Sequence, residues 1–317
     1  YCFTKKKPKM RGNSLTFIKS QNSHFHKYSS SLIGITLVIL SGFLLSINGA
    51  IGKYLGQDLH PFFITFIRAF IMVLFLLPWV FRRGGVGIRM RRPGLHVING
   101  FFFTFALFGW FWALPRIPLD LNTAVGFTTP IFAVLGAIIF LGEKSEPWRW
   151  GALVVGIIGA LIIIRPTIYG IPPGVLAAIF SALCFAVTKL LTKVITKSDA
   201  PESIVFSQAF WVTVFAFPVA VYFWENPNLE QFIWIILLSI VTIMNHFAIT
   251  WAIKLSDIGV IEPVTFTRLI WSALVGYLIF GDEPNIYTLA GGIVVVASVV
   301  YIARRERKEQ KIVGVKS

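Results

Sequence analysis

The sequence predicts an all-α integral membrane protein with ten transmembrane helices, arranged as two inverted five-helix repeats. Hydrophobic residues make up 56% of the 317 residues and charged residues only 14%, whereas a soluble domain carries roughly a quarter charged residues. Apolar runs of about 20 residues, the length of a helix that crosses a bilayer, alternate with short loops that hold most of the charges. The second half of the chain also repeats the pattern of the first.

The apolar runs divide the chain into two repeats between two basic tails. Backbone groups inside lipid must be hydrogen-bonded within their own segment, so each run should be a helix. The tails are residues 1–31 and 304–317, and the repeats are residues 32–165 and 173–303. The predicted spans are residues 32–55, 62–81, 95–114, 121–141, 148–165, 173–193, 203–224, 232–253, 259–280 and 286–303.

The N-terminal tail is polar and basic. It lacks the apolar core of a signal peptide, so we do not interpret it as one. Met10 is a candidate start, which would leave residues 1–9 outside the native protein.

Lysine and arginine are distributed unevenly between the two sides of the predicted bundle. With both termini in the cytoplasm, only Lys53, Arg116 and Arg165 fall at outer ends. Arg68 and Arg268 fall within spans, and all the others lie on the inner side. Cytoplasmic loops are enriched in Lys and Arg, so we predict a multi-pass protein of the inner (plasma) membrane with both termini cytoplasmic. The net charge of +15 then follows from topology, and no nucleic-acid partner is expected.

The two halves match when the chain is shifted against itself by 140 residues, and by 139 from the third helix onward. Lys53 then meets Lys193, and Phe127 meets Phe266. In the second and seventh predicted spans, six identical residues align at this shift: Ile64, Phe66, Ala69, Phe70, Phe75 and Pro78 align with Ile204, Phe206, Ala209, Phe210, Phe215 and Pro218. Because each half has five helices, the second half must enter the membrane upside down relative to the first.

Inverted repeats are typical of secondary transporters, whose substrate site lies near the bilayer midplane between the halves. We therefore expect a transporter, with a polytopic protein of lipid-handling or structural role as the alternative. An ATP-driven pump would need a phosphate-binding Gly-rich loop, and an intramembrane hydrolase would need a motif such as HExxH or GxSxG. The sequence has none of these motifs, so no enzymatic activity is expected.

Two arginines within the spans are the first candidates for substrate contact. A charge near the bilayer centre costs at least about 2.5 kcal/mol, so Arg68 and Arg268 should face protein, water or substrate. Their repeat counterparts are Gln208 and Thr129, so each guanidinium occurs in one half only, as an asymmetric substrate would require. The planar fork of arginine suits carboxylate or phosphate. A structural ion pair, or bonds to backbone carbonyls, is the other interpretation.

Aromatic and hydroxyl side chains accompany Arg268. Thr265 and Trp271 share a helix face with it at helical spacing. Trp271 or Trp110 beside an arginine would offer a stacking face to a flat or cationic ligand. Packing against lipid explains these tryptophans equally well.

Several polar residues at membrane depth complete the predicted site. They are either contacts between helices or cavity lining: Asn48, Asn99, Thr128, Gln208, Asn245 and His246. Glu262 is the candidate for gating or proton coupling, although a carboxylate that reaches the inner surface is the simpler interpretation. Small residues in the fifth and tenth predicted spans, residues 148–165 and 286–303, favour close packing. We therefore expect these two spans to form a scaffold or a homodimer surface.

Two segments resemble a known family. The stretch from Leu119 to Pro166 has a mid-helix Pro130, then Gly142-Glu143 at the helix end, then a Gly-rich helix. It resembles the fourth and fifth helices of EamA-type members of the drug/metabolite transporter superfamily. The segment from Ile261 to Pro284 resembles the corresponding part of the second repeat. The similarity is closest to the subset that includes S-adenosylmethionine carriers.

The resemblance implies ten helices, two inverted repeats and a central cavity. Two positions depart from the family pattern: Asp282 stands where glutamate is usual, and Leu269 stands opposite Pro130. The expected substrate is a small organic metabolite with a carboxylate, such as an amino acid or an S-adenosylmethionine-like compound. The expected partners are this metabolite and the lipid bilayer. No cofactor or metal is expected, since Cys2 and Cys184 offer no Cys-rich site.

Overall fold

A computed structural model describes residues 13–82, 90–141, 147–164, 171–195, 198–255, 264–283 and 285–314, and these residues are almost entirely helical. The helices in chain order are α1 Asn13–Asp58, α2 Pro61–Arg82, α3 Pro93–Ala113, α4 Leu119–Gly126, α5 Thr129–Leu141, α6 Pro147–Ile164, α7 Pro173–Ile195, α8 Pro201–Tyr222, α9 Leu229–Leu255, α10 Thr267–Phe280 and α11 Ile286–Gly314. Many begin at a proline, which suits the first helical position because its missing N–H would have no helical partner there.

The helices account for the ten predicted membrane crossings. Seven crossings are long and apolar enough by themselves, and one of these runs from Leu119 to Gly136 through α4 and the start of α5. Three shorter apolar helices, Trp150–Ile164, Thr267–Phe280 and Ile286–Ile302, supply the others. The chain is therefore an all-α, multi-pass membrane protein, as the sequence predicts.

The fourth predicted span is interrupted in its middle. Two backbone hydrogen bonds there span three residues instead of the four of an α-helix. The N–H of Phe127 lies 3.1 Å from the Ala124 oxygen, and the N–H of Thr128 lies 3.0 Å from the Val125 oxygen. Pro130 follows at once and has no N–H with which to continue the ladder. The span that we predicted as one helix is thus two helices, α4 and α5, separated near mid-depth.

Helix pairs that join the two halves form the frame of the bundle. Helix α1 packs along α9, α3 along α7, α2 against α8, and α6 against α11. Each pair takes one helix from residues 32–165 and one from residues 173–303. Several of the largest fully buried side chains form one hydrophobic cluster, among them Leu55, Phe63, Phe111 and Ile235.

Glycines permit the closest of these approaches. A Cβ on Gly159 would lie 3.0 Å from the Gly291 oxygen, and a Cβ on Gly291 would lie 2.7 Å from the Gly159 oxygen. Helices α6 and α11 therefore touch through their backbones. The small residues that predict a scaffold or homodimer surface are used, at least in part, within the chain; a homodimer stays a prediction.

A buried polar cluster fastens the start of α3 to the α7–α8 connection. His96 Nε2 lies 2.9 Å from Asp199 Oδ2, and His96 Nδ1 lies 2.6 Å from Ser207 Oγ. The other Asp199 oxygen accepts the backbone N–H of Arg91 at 3.1 Å. Desolvation acts to raise the pKa of Asp199, but the hydrogen bonds from His96 and Arg91 outweigh it and hold that pKa below its usual value.

We expect Asp199→Asn to lower the melting temperature of the purified protein, because it leaves His96 buried with a weaker partner. Losing a hydrogen bond from a buried group costs about 1–3 kcal/mol. In the wild type this contribution is complete above the ordinary aspartate pKa of about 3.9 and is lost as the pH falls through the lower folded pKa. Thermal unfolding of both proteins at pH 7 measures the effect. An unchanged melting temperature would show that the cluster does not stabilise the bundle.

Candidate functional site

A cavity of about 700 Å³ lies between the two halves of the bundle. Helices α1 to α5 and α7 to α10 all contribute to its wall, as do Thr265 and Phe266 just before α10. The helix break lies on it, since Gly126, Phe127, Thr129 and Pro130 are lining residues. The volume is that of a typical small-molecule site.

Arg68 enters the cavity wall from α2. Its Nη1 donates to Thr242 Oγ1 at 3.2 Å, and its guanidinium carbon lies 5.2 Å from the centre of the Phe111 ring. The residue is only 7% exposed, and its Nε has no hydrogen-bond partner among the described residues. A buried guanidinium N–H without an acceptor is costly, so this group is suited to receive one from a ligand.

Arg268 lies near the start of α10, and its side chain contacts a tryptophan of α3. Its guanidinium carbon is 5.0 Å from the centre of the Trp110 ring. Its Nε, too, is buried without a partner in the described part of the chain. The adjacent α1 approaches closely: a Cβ on Gly42 would lie 3.5 Å from the Arg268 Cα. Arg268 is therefore held at a close contact between α1 and α10.

Amides and hydroxyls connect the lining residues. Asn48 Nδ2 donates to Thr242 Oγ1 at 2.6 Å, so Thr242 accepts from both Asn48 and Arg68. On the other side Gln208 Nε2 donates to Asn99 Oδ1 at 3.0 Å, and Asn99 Nδ2 donates to Thr192 Oγ1 at 2.9 Å. These bonds fix polar side chains of six helices, α1, α2, α3, α7, α8 and α9, at or beside the cavity.

Aromatic rings supply much of the remaining wall. Phe127 and Phe266 meet edge to face with ring centres 5.0 Å apart. The apolar lining also includes Phe103, Trp110, Phe111 and Phe185. Arginines beside aromatic faces can hold a ligand that combines a charged group with a flat ring.

The structure brings together six of the eight residues predicted to contact substrate. The lining residues among them are Arg68, Arg268, Asn48, Gln208, Trp110 and Thr265. Thr128 and Trp271 lie off the cavity. The Thr128 hydroxyl donates to the Val125 oxygen at 2.6 Å within the helix break, and the Trp271 ring packs edge to face on Phe43 at 5.3 Å. Glu262, predicted for gating or coupling, falls outside the described residues.

Sequence reasoning missed several lining residues. Thr242 is the most informative, because it is bonded to both Asn48 and Arg68. It occupies one face of α9 at helical spacing with Ile249 and with Asn245 and His246, which the sequence left as either helix contacts or cavity lining, and all four line the cavity. That periodicity is visible in the sequence and would have identified α9 as a cavity helix.

The charge of the lining determines what the cavity can bind. Its described lining contains Arg68, Arg268 and Lys189, and no carboxylate appears among those lining residues. These basic side chains can pair with an anionic group of a ligand. The arrangement offers binding and orientation, with hydrogen-bond donors and flat apolar faces.

The family profile decides the class of this protein. The profile of the EamA-like transporter family matches residues 32–165 and, a second time, residues 172–304. The chain belongs to the EamA-like transporter family. It is thus a membrane transporter and not an enzyme, and the two matches repeat one family unit twice along the chain.

Curated relatives of this EamA-like transporter are also transporters. An S-adenosylmethionine uptake transporter of Rickettsia felis is 29% identical over 277 residues, which cover 87% of this chain and 94% of the relative. A riboflavin transporter of Rhizobium johnstonii is 28% identical over 294 residues, covering 89% and 95%. A riboflavin transporter of Vibrio cholerae is 26% identical over 286 residues, covering 88% and 96%.

A solved structure shares the fold of this EamA-like transporter. It is described only as the crystal structure of a protein, and it aligns with a TM-score of 0.58 at 20% identity. The alignment covers 89% of this chain and 99% of that chain. Nearly the whole of the two bundles therefore corresponds.

Proposed function

We propose that this chain is a secondary transporter that moves a small, carboxylate-bearing organic metabolite across the inner membrane by alternating access. The observation that carries the proposal is a pair of arginines in a cavity between the halves, each with a buried Nε that has no hydrogen-bond partner among the described residues. A transporter that binds an anionic group near mid-depth needs such donors, and a bundle built only for stability would leave them paired.

Matched contacts support an inverted repeat, which alternating access would use. Ser41 Oγ donates to Asn245 Oδ1 at 2.6 Å in α1 and α9. Their repeat counterparts are Ser181 and Ala106, and Ser181 Oγ donates to the Ala106 oxygen at 2.7 Å in α7 and α3. Equivalent contacts at equivalent positions are what a two-fold axis between the halves would produce. Five helices in each half would place that axis in the membrane plane.

The axis would pass near the helix break. Phe127 and Phe266 are repeat counterparts, and their rings touch each other. The same relation links α6 and α11: Gly159 approaches Gly291, and their counterparts Ser298 and Ala152 share a hydrogen bond of 2.5 Å. A residue that contacts its own counterpart lies close to a two-fold axis. The substrate would accordingly bind where the axis crosses the cavity.

The orientation in the inner membrane rests on the basic residues. In the proposed topology both termini are cytoplasmic, and the outer end of the bundle carries Lys53, Arg116 and Glu230. We expect a cysteine at Arg116 or Glu230 to react with an impermeant maleimide added outside intact cells, and a cysteine at Arg92 to react only after permeabilisation. The opposite labelling pattern would contradict this orientation.

The substrate proposal combines the cavity with the relatives. S-adenosylmethionine and riboflavin both carry a flat heteroaromatic ring and a polar chain, and this cavity has aromatic faces beside arginines. We propose that Arg268 holds a carboxylate, that Arg68 supplies the second cation, and that Trp110 rather than Trp271 borders the ring. An S-adenosylmethionine-like compound meets all of these requirements, and an amino acid meets the requirement for a carboxylate.

A matched pair of competitors tests this substrate class. We expect S-adenosylmethionine to be taken up by liposomes that contain the purified protein, and unlabelled S-adenosylmethionine to compete. Decarboxylated S-adenosylmethionine differs only by the missing carboxylate, so it should compete at least about tenfold less well, the loss expected for one charge-assisted contact. Equal competition by the two compounds would exclude a carboxylate contact.

The alternative, a lipid-handling or structural role, is weaker on the present observations. A site for lipid chains would not need two buried arginines at mid-depth. Arg68 and Arg268 lie deep in the bundle, facing a cavity with amide and hydroxyl groups, which suits a water-soluble ligand.

A further inference from the structure

A buried ion pair joins the two halves at the proposed outer end of the bundle. Lys53 Nζ lies 2.6 Å from Asp282 Oδ2, and the two side chains are only 10% and 17% exposed. Lys53 is near the end of α1, and Asp282 lies two residues after the last residue of α10. The pair therefore closes the contact between these two helices where both leave the membrane.

The same carboxylate also holds the interrupted helix. Asp282 Oδ2 accepts the backbone N–H of Leu119, the first residue of α4, at 3.1 Å. Helix α4 leads directly to the break at Phe127, which lines the cavity. Asp282 thus ties α1, α10 and the cavity-lining broken helix together at one point.

Side chains near the ion pair are tightly buried, whereas the cavity lining toward the other end of the bundle includes an exposed side chain. Gly52, next to Lys53, packs against Phe111 and Leu114, and these two side chains and Leu55 are each at most 1% exposed. Toward the opposite end the lining includes Thr192 near the end of α7 and the exposed Lys189. In the proposed orientation the exposed lining residue Lys189 lies toward the cytoplasm, and the tightly buried residues near the ion pair lie toward the outside.

The sequence repeat retains this pair of residue types. Lys193 is the counterpart of Lys53, and Glu143 is the counterpart of Asp282. A lysine and a carboxylate thus occupy equivalent sequence positions in both halves, which lie at opposite membrane faces in an inverted repeat. Residues needed only to anchor one end would not have to recur in the other half.

We propose that Lys53 and Asp282 form the outer gate of the transport cycle. The pair forms while the cavity faces the cytoplasm, and it separates when α4 and α10 move away from α1 to open the cavity outward. This inference rests on the proposed transport function. A permanent brace is the competing account, and it predicts that the pair never needs to separate.

Reversible cross-linking distinguishes a gate from a brace. In a background with Cys2→Ser and Cys184→Ala, Lys53→Cys and Asp282→Cys are joined by a short bis-methanethiosulfonate reagent. We expect uptake of labelled S-adenosylmethionine into liposomes to stop on cross-linking and to return after dithiothreitol. Uptake at the same rate while cross-linked would overturn the gate.

A control cross-link isolates the effect of position. Tyr54 Oη donates to Glu230 Oε1 at 2.9 Å, and these residues also join the two halves at the outer end. They lie on α1 and α9, which pack along each other. Tyr54→Cys with Glu230→Cys should therefore cross-link without stopping uptake. Arrest by this control as well would mean that any outer cross-link blocks the cycle, and the assignment to Lys53 and Asp282 would fail.

A second readout does not depend on transport. Phe111→Cys places a thiol on the cavity wall below the gate, and its reaction with an impermeant reagent added outside reports outward opening. Adding Asp282→Asn should raise the labelling rate severalfold, because a weakened gate raises the outward-facing population. An unchanged rate overturns the gate. If the cysteine-free parent takes up no metabolite but labelling still responds to Asp282→Asn, the transport proposal fails while the gate stands.

Discussion

Replacing Arg268 with alanine should lower metabolite uptake per folded molecule by about tenfold or more. The guanidinium is buried on the cavity wall beside Trp110, and its Nε has no partner in the described structure. A charge-assisted hydrogen bond is worth about 1.5–3 kcal/mol, which is roughly a tenfold to hundredfold change in affinity. Arg268→Lys should reduce uptake nearly as much, because an ammonium lacks the planar fork that binds a carboxylate.

The matched control is Arg116→Ala. Arg116 also stacks on a tryptophan, 3.7 Å from the Trp112 ring centre, and its Nη1 donates to the Trp112 oxygen. It is exposed and outside the cavity, so its loss should leave uptake unchanged. Uptake of all three variants is normalised to folded protein measured by size-exclusion chromatography. Wild-type normalised uptake by Arg268→Ala would remove Arg268 from the substrate site, whereas loss of folded protein alone would assign it a structural role.

Gly291→Val should strongly reduce the amount of folded protein. A Cβ at Gly291 would lie 2.7 Å from the Gly159 oxygen and 2.9 Å from the Ile163 nitrogen. Both are backbone atoms, so α6 and α11 must separate to admit a side chain. Overpacking at well-packed contacts costs about 1–3 kcal/mol and sometimes more, and a membrane bundle relies on such close approaches.

Gly151→Val provides the comparison within the same helix pair. A Cβ at Gly151 meets nothing within 4 Å, and both substitutions place the same β-branched residue in a helix. The difference between them therefore isolates the contact of α6 with α11. We would measure yield and melting temperature by fluorescence-detected chromatography. Equal stability of the two variants would contradict the close packing described above.

The fold was largely predictable because bilayer physics leaves few alternatives. Apolar runs must be helices in lipid, and prolines such as Pro61, Pro93 and Pro173 mark the first residues of helices. The break in the fourth span was harder to predict. Pro130 was visible in the sequence, but many membrane helices accommodate a proline, and only the packing around Phe127 shows that the helix is interrupted.

The charged residues of the candidate site were predictable from the sequence. Which face of each helix lines the cavity was harder to predict. Arg68 and Arg268 stand out because charge at membrane depth is costly, and both line the cavity. Trp271 shares a helix face with Arg268, yet α1 covers that part of α10, so its ring contacts Phe43 instead. Thr128 lies within the break, where the neighbouring Thr129 lines the cavity. Spacing along one helix does not reveal which neighbour covers each face.

Uptake into liposomes that contain only the purified protein tests the central claim most directly. Labelled S-adenosylmethionine and a fluorescent phospholipid are followed in the same preparation, with protein-free and Arg268→Ala liposomes as references. The transporter account predicts saturable uptake of the metabolite that exceeds both references, with no acceleration of phospholipid flipping. Phospholipid flipping without uptake of the metabolite, or of any amino acid in the same assay, would contradict the account and favour a lipid-handling role.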